Sequence, residues 1–209
     1  MHSQHGRSMV ETLGVLAIVG VLSVGGIADY SKAMMKYKLN KQAESFNTFL
    51  NNMIQIQPSL AQSLSSISNM REFSYKAHLI PDGMYYNDEK NEIYDIFHNR
   101  VHPMYYSTKT YTEFVIEYAM EISGTFATSH SIEICRNLVN TAKENAEYLY
   151  WIELRNAKDQ GTANYDKTRI YGYNLRKFGI TEIDNFCSSC NSEHACRILF
   201  YIYYERHGQ

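Results

Sequence analysis

The chain has 209 residues, enough for one domain of ordinary size with an appendage. Its 20 lysines and arginines nearly balance its 22 aspartates and glutamates, which argues against electrostatic capture of nucleic acid, a function usually marked by a strong basic excess. The 18 tyrosines suit half-buried sheets and adhesive surfaces, because the tyrosine ring is apolar while its hydroxyl group tolerates water.

An apolar segment lies close to the N-terminus. Leu13 to Ile27 contains only Leu, Val, Ile, Ala, Gly and Ser, and counted from Val10 it reaches about the 18 residues that a short or tilted membrane helix requires. A secretory signal peptide cleaved near Ala28, a simple membrane anchor and a retained assembly helix are the three interpretations. Glu11 favours the third, because a carboxylate at a lipid boundary is costly unless it is paired and is therefore usually functional.

The residues around Glu11 form a recognisable junction. Gly6-Arg7-Ser8-Met9-Val10-Glu11-Thr12-Leu13 resembles the leader junction of type IV pilins and related pseudopilins. The resemblance implies that a prepilin peptidase cleaves after Gly6, that Arg7 becomes the methylated N-terminus, and that Glu11 is the fifth residue of the mature chain. It also implies that Glu11 pairs with the α-amine of Arg7 in the neighbouring subunit, an ion pair that would set the register of stacked helices.

The apolar segment continues into an amphipathic one. Apolar residues recur at near-helical steps from Asp29 onward, which predicts a single helix from about Ser8 to Gln57 that ends before Pro58. Pro58 to Met70 is Ser-rich, and we predict a loop there, followed by a short helix. The predicted organisation is a leader (1–6), a transmembrane and polymerisation helix (7–28), an amphipathic continuation (29–57) and a globular head (58–209).

The head contains several strand patterns. We predict a hairpin from strands at 83–86 and 92–97, a strand at 101–106 that Pro103 confines to an edge or bulge, and a strand at 113–122. Phe114, Ile116, Tyr118, Met120 and Ile122 would line one face of that last strand, and Glu113, Glu117 and Glu121 the wetter one. A helix is predicted from Ser131, and a buried strand at 197–204. Residues 148–154 fit a strand or a helical extension equally well.

Four cysteines lie in the second half of the chain: Cys135, Cys187, Cys190 and Cys196. With His194, the last three and their spacing C-x2-C-x3-H-x-C offer a Cys3His set that could bind zinc, and Cys187-Ser-Ser-Cys190 alone could be a redox pair. We favour structural disulfides, with one bridge joining Cys135 to the C-terminal cysteines. Four cysteines allow three pairings that the sequence does not separate; our working pairing is Cys135–Cys196 with Cys187–Cys190.

The order of these elements is also similar to that of the type IVb pilins. The residues that carry the likeness are FVIEYAMEI (114–122), SIEICRNLV (131–139) and ACRILFYIYYE (195–205). This similarity implies an α+β pilin-like fold, in which a long N-terminal helix packs on an antiparallel β-sheet. It further implies a C-terminal disulfide loop exposed on the filament surface.

The expected function is therefore structural. We predict a subunit that is held in the inner membrane of a Gram-negative-type envelope and then polymerises into an extracellular pilus or a periplasmic pseudopilus. Its expected partners are copies of itself, a prepilin peptidase, an assembly ATPase and a platform protein. No catalytic residue, cofactor or nucleic acid is expected. The alternatives are a pseudopilin of a type II secretion system and an exported small disulfide- or zinc-containing protein released by signal peptidase.

Overall fold

The structure is a computed structural model. It describes residues 9–63, 68–107, 112–120, 130–157, 166–190 and 195–202, without the side chains of 10, 21–25, 61–63, 68, 69, 107, 112, 156, 157, 166, 167 and 195. The chain divides into two compact units, Met1–Lys38 and Leu39–Gln209.

The first element is a long helix, α1 (Met9–Ser63). The prediction of a helix from Ser8 that ends at Gln57 was wrong at its C-terminal end, because α1 continues through Pro58. A proline inside a helix removes one backbone hydrogen bond and crowds the preceding turn. Leu60 is only 4% exposed and belongs to the core of the second unit, so its burial offsets that loss. The predicted loop at 58–70 is therefore wrong for residues 58–63, and residues 64–67 lie outside the described residues. The short helix α2 (Met70–Lys76) begins only at the last residue of the segment for which a loop and a short helix were predicted.

The strands form an antiparallel sheet. In the described part of the chain, the hydrogen-bonded order is β2 (Met84–Asn87), β3 (Glu92–Asp95), β4 (Arg100–Ser107), β5 (Thr112–Met120), β8 (Ala195–Ile202), β6 (Leu149–Ala157) and β7 (Asp166–Tyr171). The two-residue strand β1 (Ser68–Asn69) also pairs with β4.

Most strand predictions are confirmed. The predicted hairpin is β2–β3, although its second strand ends at Asp95. The undecided segment 148–154 belongs to β6. The C-terminal strand β8 lies between β5 and β6 in the middle of the sheet; the predicted residues 203 and 204 lie outside the described ones.

The position of Pro103 differs from the prediction. Strand β4 pairs with β5 along its length, so Pro103 confines it neither to an edge nor to a bulge. On the other side of β4, Arg100 and Val101 pair with β3, whereas Met104 and Tyr105 pair with β1. Pro103 falls between these two partner strands, where a missing N–H donor is tolerated.

The main core lies between one face of this sheet and the helices. Phe114, Ile116, Tyr118 and Met120 alternate along β5 and are fully buried, as predicted, while Ile122 lies outside the described residues. They join side chains of α1, α3 (Ser131–Glu144), α4 (Gly172–Leu175) and α5 (Ile180–Cys187) in one cluster. The ring of Phe46, on α1, lies 5.2 Å from that of Tyr118. The predicted fold class, a long helix on an antiparallel sheet in an α+β arrangement, is confirmed.

The opposite face of the sheet is less wet than predicted. Glu113 and Glu117 do lie there and are half-buried, and Glu121 is outside the described residues. Between the charged positions, however, Val115, Leu199 and Tyr201 form a second, smaller buried cluster. Alternation along β5 therefore separates two apolar clusters of unequal size rather than a core from solvent.

Candidate assembly segment and disulfide region

The predicted cleavage and assembly residues lie at the N-terminal end of α1. Gly6 and Arg7 lie outside the described residues. Glu11 lies in the first turn of α1 and is exposed. A carboxylate suits that position, because the first turn of a helix presents backbone N–H groups and the positive end of the helix dipole.

Large apolar side chains lie on both sides of Glu11 along the helix of the first unit. They are exposed on all sides of the helix rather than along one stripe, and each is at least 52% exposed: Met9, Leu13, Val15, Leu16, Ile18, Val19 and Ile27. A helix that is apolar around its circumference is typical of one that becomes buried by further protein or by lipid. Residues 9–28 are therefore the candidate assembly segment.

The membrane assignment of this segment is not supported by the structure. Within the described residues, no helix is long and apolar enough to cross a membrane. The uncharged run from Thr12 to Ala28 includes residues 21–25, whose side chains are not among those described. The expectation of a spanning helix at residues 7–28 thus depends on the sequence alone.

The four cysteines form two disulfides. Cys135 in α3 is bonded to Cys187 at the end of α5, and Cys190 is bonded to Cys196 at the start of β8. The working pairing, Cys135–Cys196 with Cys187–Cys190, was therefore wrong. The reason is geometric: α3 and α5 pack side by side and bring the Cα atoms of Cys135 and Cys187 to 5.7 Å, within disulfide range.

These bonds also decide the two chemical alternatives for the cysteines. A Cys3His zinc site needs three thiolates, but all three candidate sulfurs are used in disulfides. Cys187 and Cys190 are not bonded to each other, so a C-x-x-C redox pair is absent as well. His194, the fourth zinc candidate, lies outside the described residues. The Cys135–Cys187 bond fastens α5 to α3, and the Cys190–Cys196 bond fastens the turn after α5 to β8.

A buried polar network that the sequence did not predict joins α1 to the sheet. The hydroxyl group of Tyr118 donates to a carboxylate oxygen of Asp95 and accepts a hydrogen bond from Gln42 Nε2 at 3.1 Å. Asn137 Nδ2 of α3 donates to Gln42 Oε1 at 3.3 Å, and Asn99 Nδ2 donates to Asp95 at 3.1 Å. The network therefore connects α3, α1, β5 and the end of β3 inside the second unit.

Asp95 has an unusual environment in this network. Burial raises the pKa of its carboxyl group, although the hydrogen bonds from Tyr118 and Asn99 oppose that rise. Burial and the nearby carboxylate raise the pKa of Tyr118 well above its usual value. A signal for this site existed in the sequence: a tyrosine at an inward strand position needs a partner for its hydroxyl group. The partner could not be identified, because it comes from another strand.

A second charged cluster lies on the less buried face of the sheet. Glu153 of β6 is fully buried there and accepts hydrogen bonds from Arg155 Nε at 2.5 Å and from Arg169 Nη2 at 2.6 Å. Burial by itself would raise the pKa of Glu153, but these two arginines outweigh it and hold that pKa below its usual value. The guanidinium carbon of Arg169 also lies 4.5 Å from the ring centre of Trp151, in cation–π range.

The candidate functional features belong to the two units separately. The first unit contains an exposed apolar helix with Glu11 in its first turn, and the second contains a head stabilised by two disulfides and two buried charged clusters. In the comparisons with known proteins, no family model, no curated protein and no solved structure shows a significant match to this chain.

Proposed function

We propose that this chain is a structural subunit of a type IV pilin-like filament. The observation that carries the proposal is a coincidence of three features. Glu11 lies in the first turn of α1, five residues after Gly6, and is followed by exposed apolar side chains at residues 13–19 and at Ile27. Cleavage after Gly6 would retain this helix and place its new amine close to its own acidic residue.

Assembly in this proposal buries the segment 9–28 among the corresponding segments of other copies. Removing apolar surface from water contributes about 25 cal/mol per Å² and is not directional. A non-directional force does not fix how far one helix slides along another. Glu11 would provide that register, because it is stabilised in an apolar surrounding only where an amine of the next copy meets it.

Membrane storage, cleavage and assembly of the subunit each require partners. The subunit would wait in the inner membrane, a stage that the uncharged sequence from Thr12 to Ala28 supports. A prepilin peptidase would cleave it, and an assembly ATPase with its platform protein would add it to the filament. The two disulfides support exposure of the head to an oxidising compartment outside the cytoplasm.

The first test is the mass of the mature N-terminus. We expect that the full chain, expressed with a prepilin peptidase, is converted to a product that begins at Arg7, with or without a methyl group. The matched control is Gly6→Val, which should stay uncleaved because a bulky residue replaces the glycine at the cut. A product that begins at Asp29 would instead identify a signal peptide, remove the assembly segment and contradict the proposal.

A further inference from the structure

The two ends of the sheet carry opposite charge. Residues 82–92, called here the acidic edge, include four carboxylates and one lysine. Residues 166–177, called here the basic edge, include four lysines and arginines and one carboxylate. In the described strand order these edges are at opposite ends, because β2 pairs only with β3 and β7 pairs only with β6.

Exposed charged side chains lie at both edges. Asp88 and Glu89 are exposed in the turn between β2 and β3, and Arg176 and Lys177 are exposed just after α4. Several charges at the edges are balanced locally, since Arg176 lies 3.3 Å from Glu147, Arg169 lies 2.6 Å from Glu153, and Glu92 lies 2.7 Å from Arg71. Asp88, Glu89 and Lys177 are absent from the ion pairs found among the described residues, so each edge keeps exposed charge of its own sign.

Both edges also present tyrosines. At the acidic edge Tyr85 is 42% exposed and stacks on Tyr94, with ring centres 5.5 Å apart. At the basic edge Tyr173 is 71% exposed and stacks on Tyr171, with ring centres 5.7 Å apart. Tyrosine and arginine are enriched in protein interfaces, because they combine a large contact area with a hydrogen-bonding tip.

We infer that the acidic edge of one head docks on the basic edge of the head of a second copy. The occupant is another copy of this chain because both complementary surfaces belong to the same molecule. A contact between two different surfaces of the same molecule is heterologous, so it repeats from copy to copy and builds an open fibre unless the rotation between copies closes a ring. This inference rests on the proposed function, for which it names the head surfaces that meet, in addition to the contacts made by α1.

The contact can be detected directly with a carbodiimide, which condenses a carboxylate and a lysine amine in contact into an amide. The experiment uses the uncleaved full chain in detergent, mixed from normal and ¹⁵N-labelled preparations, so that mass spectrometry separates bonds between copies from bonds within one. We expect bonds between Lys177 of one copy and Asp88 or Glu89 of another. Absence of these bonds, or bonds within one copy only, would overturn the inference.

Charge-reversal variants form the second part of the cross-linking experiment. Asp88→Lys with Glu89→Lys, or Arg176→Glu with Lys177→Glu, should each reduce the cross-linked fraction about tenfold, because each variant loses one partner of the amide bond and also sets like charges face to face. The chain with all four substitutions should recover most of the cross-linked fraction, because it again presents amines at one edge and carboxylates at the other; this recovery is the result that tests docking. A matched reversal on the α1–α3 side, Glu44→Lys with Glu144→Lys, should have no effect.

Each outcome of the reversal experiment is decisive. If the fourfold variant cross-links as poorly as the two double variants while its melting temperature is unchanged, edge complementarity is wrong. Because this measurement requires neither leader cleavage nor Glu11, its failure is distinguishable from failure of the proposed function. A chain cleaved at Gly6 that shows no bond between the edges would retain the function and lose this inference.

Discussion

The two buried carboxylates of the head show how neighbouring residues decide the effect of burial. Asp95 and Glu153 are both almost inaccessible, yet the pKa of Asp95 is raised and that of Glu153 is lowered. Asp95 is surrounded by neutral donors, namely a hydroxyl, an amide and backbone N–H groups. Glu153 instead meets two arginines. Full positive charges compensate for lost hydration better than neutral donors do.

At this scale we predict the effect of Glu153→Gln. Because the native pKa of Glu153 lies below its unfolded value, its stabilising contribution is present above the unfolded pKa and is lost as the pH falls through the native pKa. The substitution should lower the free energy of unfolding by about 2 kcal/mol at neutral pH, the range for hydrogen bonds to charged groups. Urea unfolding of both chains over a pH series measures this change in the free energy of unfolding.

The control for this prediction is Glu147→Gln, since Glu147 is more than half exposed in its ion pair with Arg176. Exposed pairs contribute at most about 1 kcal/mol, so this variant should unfold nearly as the parent chain does. An effect of Glu153→Gln that is as large at about pH 3 as at about pH 7 would show that the carboxylate charge is not its source.

Single residues also show what the sequence could and could not predict. The alternation that buries Phe114 and Ile116 is visible in the sequence, because it depends on neighbours two residues away. The partners of Tyr118 are not visible, because Asp95 and Gln42 come from another strand and a helix. Of the partners of Glu153, Arg155 lies two residues away on the same strand, but Arg169 comes from a neighbouring strand and is not visible either. Pairing across a sheet depends on register, which a single strand does not contain.

Among the elements, those with a strong local pattern were predictable and those decided by packing were not. Strand β5, the β2–β3 hairpin and helix α3 follow from periodicity and turn residues. The segment now seen as β6 was ambiguous, because a short apolar run fits a helix or a strand until its neighbours are known. Helix α1 continues past Pro58 for the same reason, since the burial of Leu60 is a tertiary effect.

The disulfide arrangement predicts a difference between the two bonds. Cys135 and Cys187 are 52 residues apart, whereas Cys190 and Cys196 are 6 residues apart. In the chain-entropy account the stabilisation grows with the length of the closed loop, giving about 4 kcal/mol for the longer loop and about 2 kcal/mol for the shorter. Replacing Cys135 and Cys187 by serine should therefore destabilise the head more than replacing Cys190 and Cys196.

Denaturant unfolding of the two double variants measures this difference, and each variant serves as the control for the other. Non-reducing peptide mapping of the parent chain verifies the pairing at the same time. Equal losses of stability would contradict the entropic account, and a peptide that links Cys187 to Cys190 would contradict the pairing itself.

In the whole molecule, the order of strands is the feature that the sequence did not reveal. The last of the described strands, β8, lies in the interior of the sheet between β5 and β6. The sequence indicates a buried strand there, because Ile198, Phe200 and Ile202 alternate, but its neighbours depend on the path of the whole chain. The sheet is consequently complete only when β8 has paired with β5 and β6, which lie well before it in the sequence, and non-local pairing of this kind slows folding.

The candidate functional residues also differ in whether neighbouring residues or distant segments define them. Gly6, Arg7 and Glu11 were identified as a contiguous motif, and Glu11 is found in the first turn of an exposed apolar helix. The edges with opposite charge were not identified, because residues 82–92 and 166–177 become complementary surfaces only through the strand order. A contiguous motif can thus be proposed from the sequence alone, whereas a surface made from distant segments can be proposed only once the strand order is known.

The central claim is that Glu11 sets the register of assembly by pairing with the N-terminal amine of a neighbouring copy. The most direct measurement is the filament yield of Glu11→Gln, with the mature N-terminus determined in the same cells. Glu44→Gln is the matched control, because Glu44 also lies on α1 and its side chain is 70% exposed. We predict normal cleavage after Gly6 in both variants, with a strongly reduced filament yield for Glu11→Gln only, because the loss of the ion pair weakens the addition of every subunit. A normal filament yield from the Glu11→Gln variant would contradict the claim.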